Sequence, residues 1–101
     1  MIESFGDRAT EDLFHGRNTN RVRRLPTQIL NAALNKLDVL NAAHKIQDLR
    51  EPPSNRLETL KGDLKGFYSI RVNNQWWIIF RWSNMISGAT EFIVVIIIIF
   101  F

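Results

Sequence analysis

Apolar residues recur along the chain at two different periods, and the change falls near residue 55. In "LPTQILNAALNKLDVLNAA", Ile29, Leu30, Ala33, Leu34, Leu37 and Leu40 are spaced by three and four. That spacing predicts an amphipathic helix, with Thr27, Asn31, Asn35 and Asp38 on its polar face. Pro26 stands where a first-turn proline is tolerated. "HKIQDLR" adds a further helical turn before "EPPSN", whose paired prolines stop any helix. Upstream, "MIESF" reads as an edge strand with Ile2 and Phe5 as its apolar members. "RATEDLFHG" reads as a short helix: Thr10 is the expected N-cap, Glu11 and Asp12 suit the positive end of the dipole, and Gly16 closes it. "RNTNRVRR" reads as a polar, basic loop.

Beyond Asn55 the period becomes two. "RLETL" is a short strand, and "GFYSIRV" alternates Phe67, Ser69 and Arg71 with Tyr68, Ile70 and Val72, the second set being expected to face the core. "NN" at 73–74 predicts a two-residue hairpin turn, because asparagine tolerates positive φ. "QWWIIFRW" returns as the partner strand, with Trp76 and Trp82 on the core side and Trp77 on the other. "SNMISG" turns again, and "ATEFIVVIIIIFF" is the last strand. The expected fold is α+β over one domain, residues 1–101: an N-terminal strand, two or three helices, then an antiparallel meander.

Composition narrows the chemistry. The chain has 101 residues and no cysteine, which removes disulfides and thiolate metal sites and fits a reducing, cytoplasmic setting. "MIESFGDRAT" lacks the pattern of a signal peptide, and "IVVIIIIFF" at 93–101 is about half of the roughly 20 apolar residues a spanning helix requires, so no membrane anchor is expected. Formal net charge is +3 and the pI about 9.8, a balance that favours polyanionic partners such as RNA, DNA or ribosomes. His15 and His44 are far apart in sequence and no paired acidic motif accompanies them. Neither a metal site nor a cofactor is expected, and both histidines read as structural.

"EPPSNRLETLKGDLKGFYSIRVNNQWWIIFRW" resembles the HigB toxins of bacterial toxin–antitoxin modules, within the RelE/ParE superfamily. Those proteins carry Pro-Pro-x-Asn-Arg-Leu-Glu-x-Leu-x-Gly, then Ser-Ile-Arg-Val/Ile-Asn and Gln-Trp-Arg before an apolar strand. "MIESF" and the long helix are similar to the same family in the same order, so the resemblance extends to about Ile93. It implies a RelE-like toxin that cuts mRNA in the ribosomal A site, silenced by a HigA-like helix-turn-helix antitoxin, with DNA reached only indirectly through that antitoxin. Metal-free RNA cleavage uses the substrate's 2′-hydroxyl as nucleophile, so the protein must move protons and stabilise charge at phosphorus. Lys61 matches a family position on the active surface, and is also readable as a solvated lysine in a tight turn. Arg56, Lys65 and Arg71 are candidate groove cations, or solvent-facing residues of their strands. Arg21, Arg23 and Arg24 form the densest basic cluster, expected to grip ribosomal RNA phosphates and also readable as a polar lead-in to the helix.

Two departures from the family pattern stand out. Trp77 occupies the place of the usual arginine, and an indole offers one N–H donor without positive charge. The usual ending in Asp-Tyr-His, expected near Val94 to Ile96, is absent. Asp-Tyr-His written GAT TAT CAT, read one base later and followed by T, becomes ATT ATC ATT, three isoleucines. The tail is therefore open to two origins, a frameshifted toxin end or an apolar strand that diverged by substitution. Either leaves a run of high β-propensity with no acid, base or phosphate ligand. The function implied is a ribosome-dependent mRNA endoribonuclease, impaired in this version. Its rival is a non-catalytic, antitoxin-binding regulator or decoy with the same fold. Gyrase inhibition of the ParE kind shares the fold, but "NRLETLKGD" and "SIRVNNQWW" point away from it.

Overall fold

The computed structural model describes residues 2–84 and 91–100, with side-chain surroundings as far as Trp82. In chain order the elements are β1 (Ile2–Phe5), α1 (Arg8–Phe14), α2 (Asn20–Arg23) and α3 (Thr27–Ala42). Two 3-10 turns follow, Ile46–Arg50 and Pro53–Asn55, then β2 (Glu58–Thr59) and a third 3-10 turn, Gly62–Leu64. The chain continues through β3 (Tyr68–Arg71), β4 (Trp76–Asn84) and β5 (Glu91–Phe100). One sheet runs β1-β5-β4-β3-β2. Strands β2 to β5 form the expected antiparallel meander, and β1 adds to β5 in parallel at the edge.

The period-3.6 stripe of α3 is what covers the sheet. Ile29, Ala33, Leu37 and Leu40 are at most 1% exposed and share one cluster with Ile70, Ile78 and Phe80 of β3 and β4. Trp76, Trp82 and Tyr68 pack partly buried against it, as strand alternation predicts. Fully burying each such aliphatic or aromatic side chain contributes roughly 1.5–3 kcal/mol, so this single stripe-on-sheet contact is the main support of the fold. The other sheet face carries Phe67, Ser69 and Arg71 of the β3 segment and Trp77, Ile79 and Arg81 of β4. There the Arg81 guanidinium sits 4.7 Å from the Phe67 ring centre.

Four local expectations are corrected. The N-cap of α1 is Asp7, not Thr10: Asp7 has extended backbone, and its carboxylate accepts from the Thr10 amide at 3.1 Å and the Thr10 hydroxyl at 2.6 Å. Thr10 is thereby buried at 1% exposure. Within "RNTNRVRR", Thr19 caps the short helix α2 by accepting from the Val22 amide. The hairpin at 73–74 has no residue of positive φ. Instead Asn73 Oδ1 accepts the amides of Gln75 and Trp76, and Val72 and Asn73 both donate to the Trp76 carbonyl. This is a longer loop closed by a side chain, a second way in which asparagine makes turns. Finally, Ser83 and Asn84 still belong to β4, and the rest of the turn expected at 83–88 lies outside the described residues. Gly16 does end α1, in the left-handed region at φ 73.

Candidate functional site

Strand register places the chemistry-bearing positions in two rows across the sheet. Glu58 of β2 pairs with Ser69, Ser69 with Ile79, and Ile79 with Ile97. In the next row Arg71 pairs with Trp77, and Trp77 with Ile99. The residue at the usual arginine position thus lies beside Arg71, and its other neighbour in register comes from the apolar tail. Trp77 is half-buried.

The candidate cations do not gather in one groove. Arg71 donates from Nε to the Asn73 carbonyl at 3.0 Å. It lines an open cleft of about 580 Å³ at the β3–β4 loop together with Lys36, Ser54 and Gln75. Arg56 lines a second cleft, of about 770 Å³, with Gln47, Arg50, Glu58 and Tyr68. Lys61 and Lys65 flank the Gly62–Leu64 turn that joins β2 to β3, and both are exposed. That turn lies beyond Phe67, whose carbonyl accepts from Leu60. Phe67 is four residues from Arg71, which at about 3.3 Å per strand residue is roughly 13 Å away. Lys61 and Trp77 therefore sit toward opposite ends of the sheet.

The arginine cluster between α1 and α3 is organised by one carboxylate. Asp12 is only 3% exposed and accepts from Thr19 Oγ1 at 2.9 Å, Arg21 Nε at 3.0 Å and Arg17 Nη1 at 3.3 Å. Burial pushes its carboxyl up, but the Thr19 hydroxyl and the guanidinium groups of Arg21 and Arg17 outweigh that and hold it below the ordinary carboxylate value. Arg21 is therefore committed at Nε while 47% of its side chain stays exposed. Arg23 donates to Asn20. Arg24 lines a small cleft with Arg8 and Asp7. His15 is exposed, with its ring 5.9 Å from Phe5 and 5.4 Å from Phe14. The exposed His44 donates its amide to Asp48, whose carboxyl that bond and the Lys45 amide hold low. Among the described residues no group of three His, Asp or Glu side chains is placed to hold a metal, and no helix is long and apolar enough to cross a membrane.

Pattern reading missed Asn55 and Lys36. Asn55 is fully buried: its Nδ2 donates to the carbonyls of Leu49 at 3.2 Å and Glu51 at 3.1 Å, and its Oδ1 accepts from Lys36 Nζ. The signal was an amide directly after "PPS", where a turn with its own carbonyls to satisfy must form.

A sequence model of the HigB-like toxins, described as "RelE-like toxin of type II toxin-antitoxin system HigB", matches residues 3–91. The match stops where the apolar run begins. The chain is 45% identical over 90 residues to toxin HigB-1 of Vibrio cholerae, covering 89% of this chain and 93% of that one. A Haemophilus influenzae protein is 41% identical over 61 residues, 60% of each chain. Among solved structures, a YoeB/ParE toxin from Agrobacterium tumefaciens matches with TM-score 0.58 at 20% identity, covering 100% of this chain and 99% of its own. The YoeB-YefM complex from Staphylococcus aureus matches with TM-score 0.57 at 16% identity, covering 97% and 94%. At those identities the structures speak for the fold alone, which is RelE-like.

Proposed function

Because this chain belongs to the HigB-like toxins, RelE-like toxins of type II toxin–antitoxin systems, we propose that it has the scaffold of a ribosome-dependent mRNA endoribonuclease whose catalysis is impaired in this sequence. One observation carries the impairment. In the row of the sheet that holds Arg71, the neighbours in register are Trp77 and Ile99, so within that row the cation is flanked by an indole and an aliphatic residue. Attack by the 2′-hydroxyl needs a base, the phosphorane needs cations, and the leaving 5′-oxygen needs an acid. Arg71 serves the second role, and neither of its neighbours in register, Trp77 and Ile99, is an acid or a base for the other two. Lys61 is the proposed catalytic cation of the family surface. Arg21, Arg23, Arg24, Arg56, Lys65 and Arg71 are proposed RNA contacts.

The protein acts in the cytoplasm as one toxin domain over residues 1–101. Its partners are the ribosome with its mRNA and a HigA-like helix-turn-helix antitoxin; the matched YoeB-YefM complex supports a partner of the antitoxin kind. The test is induction in bacteria without antitoxin, with mRNA cleavage measured on translating ribosomes. The expected result is weak growth arrest and slow cleavage, both raised by Trp77→Arg combined with an Asp-Tyr-His ending. Strong cleavage by the unaltered chain refutes the impairment. The same tail supports the second reading, a non-catalytic regulator or decoy. Capture of a HigA-like antitoxin with no cleavage at all selects it.

A further inference from the structure

The cleft shared by Arg50 and Arg56 is built rather than incidental. Arg50 ends one 3-10 turn and Arg56 follows the next, and both are exposed. Arg56 adopts the left-handed region at φ 46, unusual for a residue with a side chain. Such a conformation persists where surrounding structure over-determines it, and it concentrates at ligand sites. Here the surroundings are the buried Asn55 amide, tied to the Leu49 and Glu51 carbonyls and to Lys36, and the Arg56 amide, which donates to the Pro53 carbonyl at 3.0 Å. The backbone that presents both guanidinium groups is thus fixed from inside the molecule.

Beside the arginines the cleft offers an aromatic ring and a carboxylate. Tyr68 forms part of its wall with its ring already stacked on Phe80, 5.8 Å between centroids and 22° between planes, so it is a rigid aromatic surface. Among the described residues the ion pairs are both at Asp12. Glu58, though it lines the same cleft, therefore neutralises neither arginine at contact distance. An acidic peptide and an RNA phosphate both gain from the arginines and both meet Glu58 as a like charge, so the rest of the ligand decides between them. A ribonucleotide brings a phosphate for the arginine forks, a base for the ring, and a 2′-hydroxyl donor for the carboxylate.

We propose that this cleft is a single-stranded RNA subsite: Arg50 and Arg56 hold one phosphodiester, Tyr68 stacks the adjoining base, and Glu58 accepts the 2′-hydroxyl. It rests on the toxin reading and extends it to a place away from the Arg71–Trp77 row. The ligand chemistry is common to message and ribosomal RNA.

The test uses the full chain and fluorescence anisotropy with a labelled ten-nucleotide RNA and the DNA of the same sequence. Arg56→Gly suits the left-handed backbone, and Arg50→Ala touches no backbone constraint. The double variant is expected to bind RNA about tenfold more weakly at low salt, with a log–log salt slope shallower by about 1. Glu58→Ala is expected to erase the preference for RNA over DNA. Sedimentation with vacant and with message-loaded ribosomes separates the sources. Loss confined to the loaded ribosomes supports a message subsite, and loss with both supports ribosomal RNA. Unchanged RNA affinity in the double variant and in Arg50→Ala alone overturns the subsite while leaving the toxin reading intact. Weakened antitoxin capture with unchanged RNA affinity overturns it in favour of a protein surface. Failure of the unaltered chain to bind RNA or ribosomes overturns both.

Discussion

Replacing Asn55 with alanine removes three hydrogen bonds from a side chain that has no exposed surface. The Leu49 and Glu51 carbonyls lose their donor, and Lys36 Nζ loses its acceptor. A buried polar group left unpaired costs about 1–3 kcal/mol. Lys36 is half-buried and Glu51 is exposed, so both recover water in part and the buried Leu49 carbonyl dominates; with the partial losses the sum is about 3 kcal/mol. Against the 5–15 kcal/mol of an ordinary domain, that is a large fraction. With a urea m-value of about 1.5 kcal/mol/M, the unfolding midpoint of Asn55→Ala falls by about 2 M while m stays the same. Lys36→Met, which keeps the aliphatic stem and leaves only Oδ1 without its donor, falls by less than half as much. Equilibrium urea unfolding followed by tryptophan fluorescence measures both. A midpoint for Asn55→Ala within about 0.3 M of the parent refutes the view that this amide ties the 49–56 segment to α3.

Other outcomes follow from single features. Asp12 is held below its ordinary pKa in the folded chain, so its contribution is present above about pH 4 and is lost as pH falls through the depressed folded value; urea midpoints between pH 2 and 6 drop less steeply in Asp12→Asn. Phe80, with 0% exposure, leaves a cavity on change to alanine, costing about 3–5 kcal/mol in the same unfolding assay. Gly16→Ala meets no neighbour within 4 Å but forces a side chain to φ 73, and costs about 1 kcal/mol from backbone alone. Sequencing the encoding DNA separates the two origins of the tail: GTG ATT ATC ATT over 95–98 supports the frameshift, and any other codon series removes that coding coincidence.

Long-range order was legible wherever one period ran unbroken. The α3 stripe from Ile29 to Leu40 and the alternation of Tyr68, Ile70 and Val72 are burial patterns, and burial is what sets helix and strand faces. Helix starts were not legible in the same way. Asp7 and Thr10 are both competent caps, and the choice turned on three residues of extra helix that only packing against β1 and α3 decides. The Asn73–Asn74 turn was misjudged because asparagine closes turns either by positive φ or by its side-chain oxygen, and composition does not separate the two. At the candidate site, Arg71 and Trp77 share a row because strand register follows from the hairpin. The separation of Arg56 from Arg71 into different clefts had no sequence signal. It depends on the Lys36–Asn55 tie across 19 residues, a contact invisible to any local period.

The parallel pairing of Ile2 with Ile93 has a consequence in time. During synthesis β1 emerges roughly ninety residues ahead of β5, its partner in the sheet. At about 5–20 residues per second, that is a wait of roughly 5–20 seconds. Only at the end of that interval, for roughly 1–3 seconds, does β4 also present a bare edge on the side that β5 later fills. The nascent chain is therefore vulnerable to wrong partners until the last strand slots between the first and the one made just before it, and any change in residues 91–100 is felt by both neighbours at once.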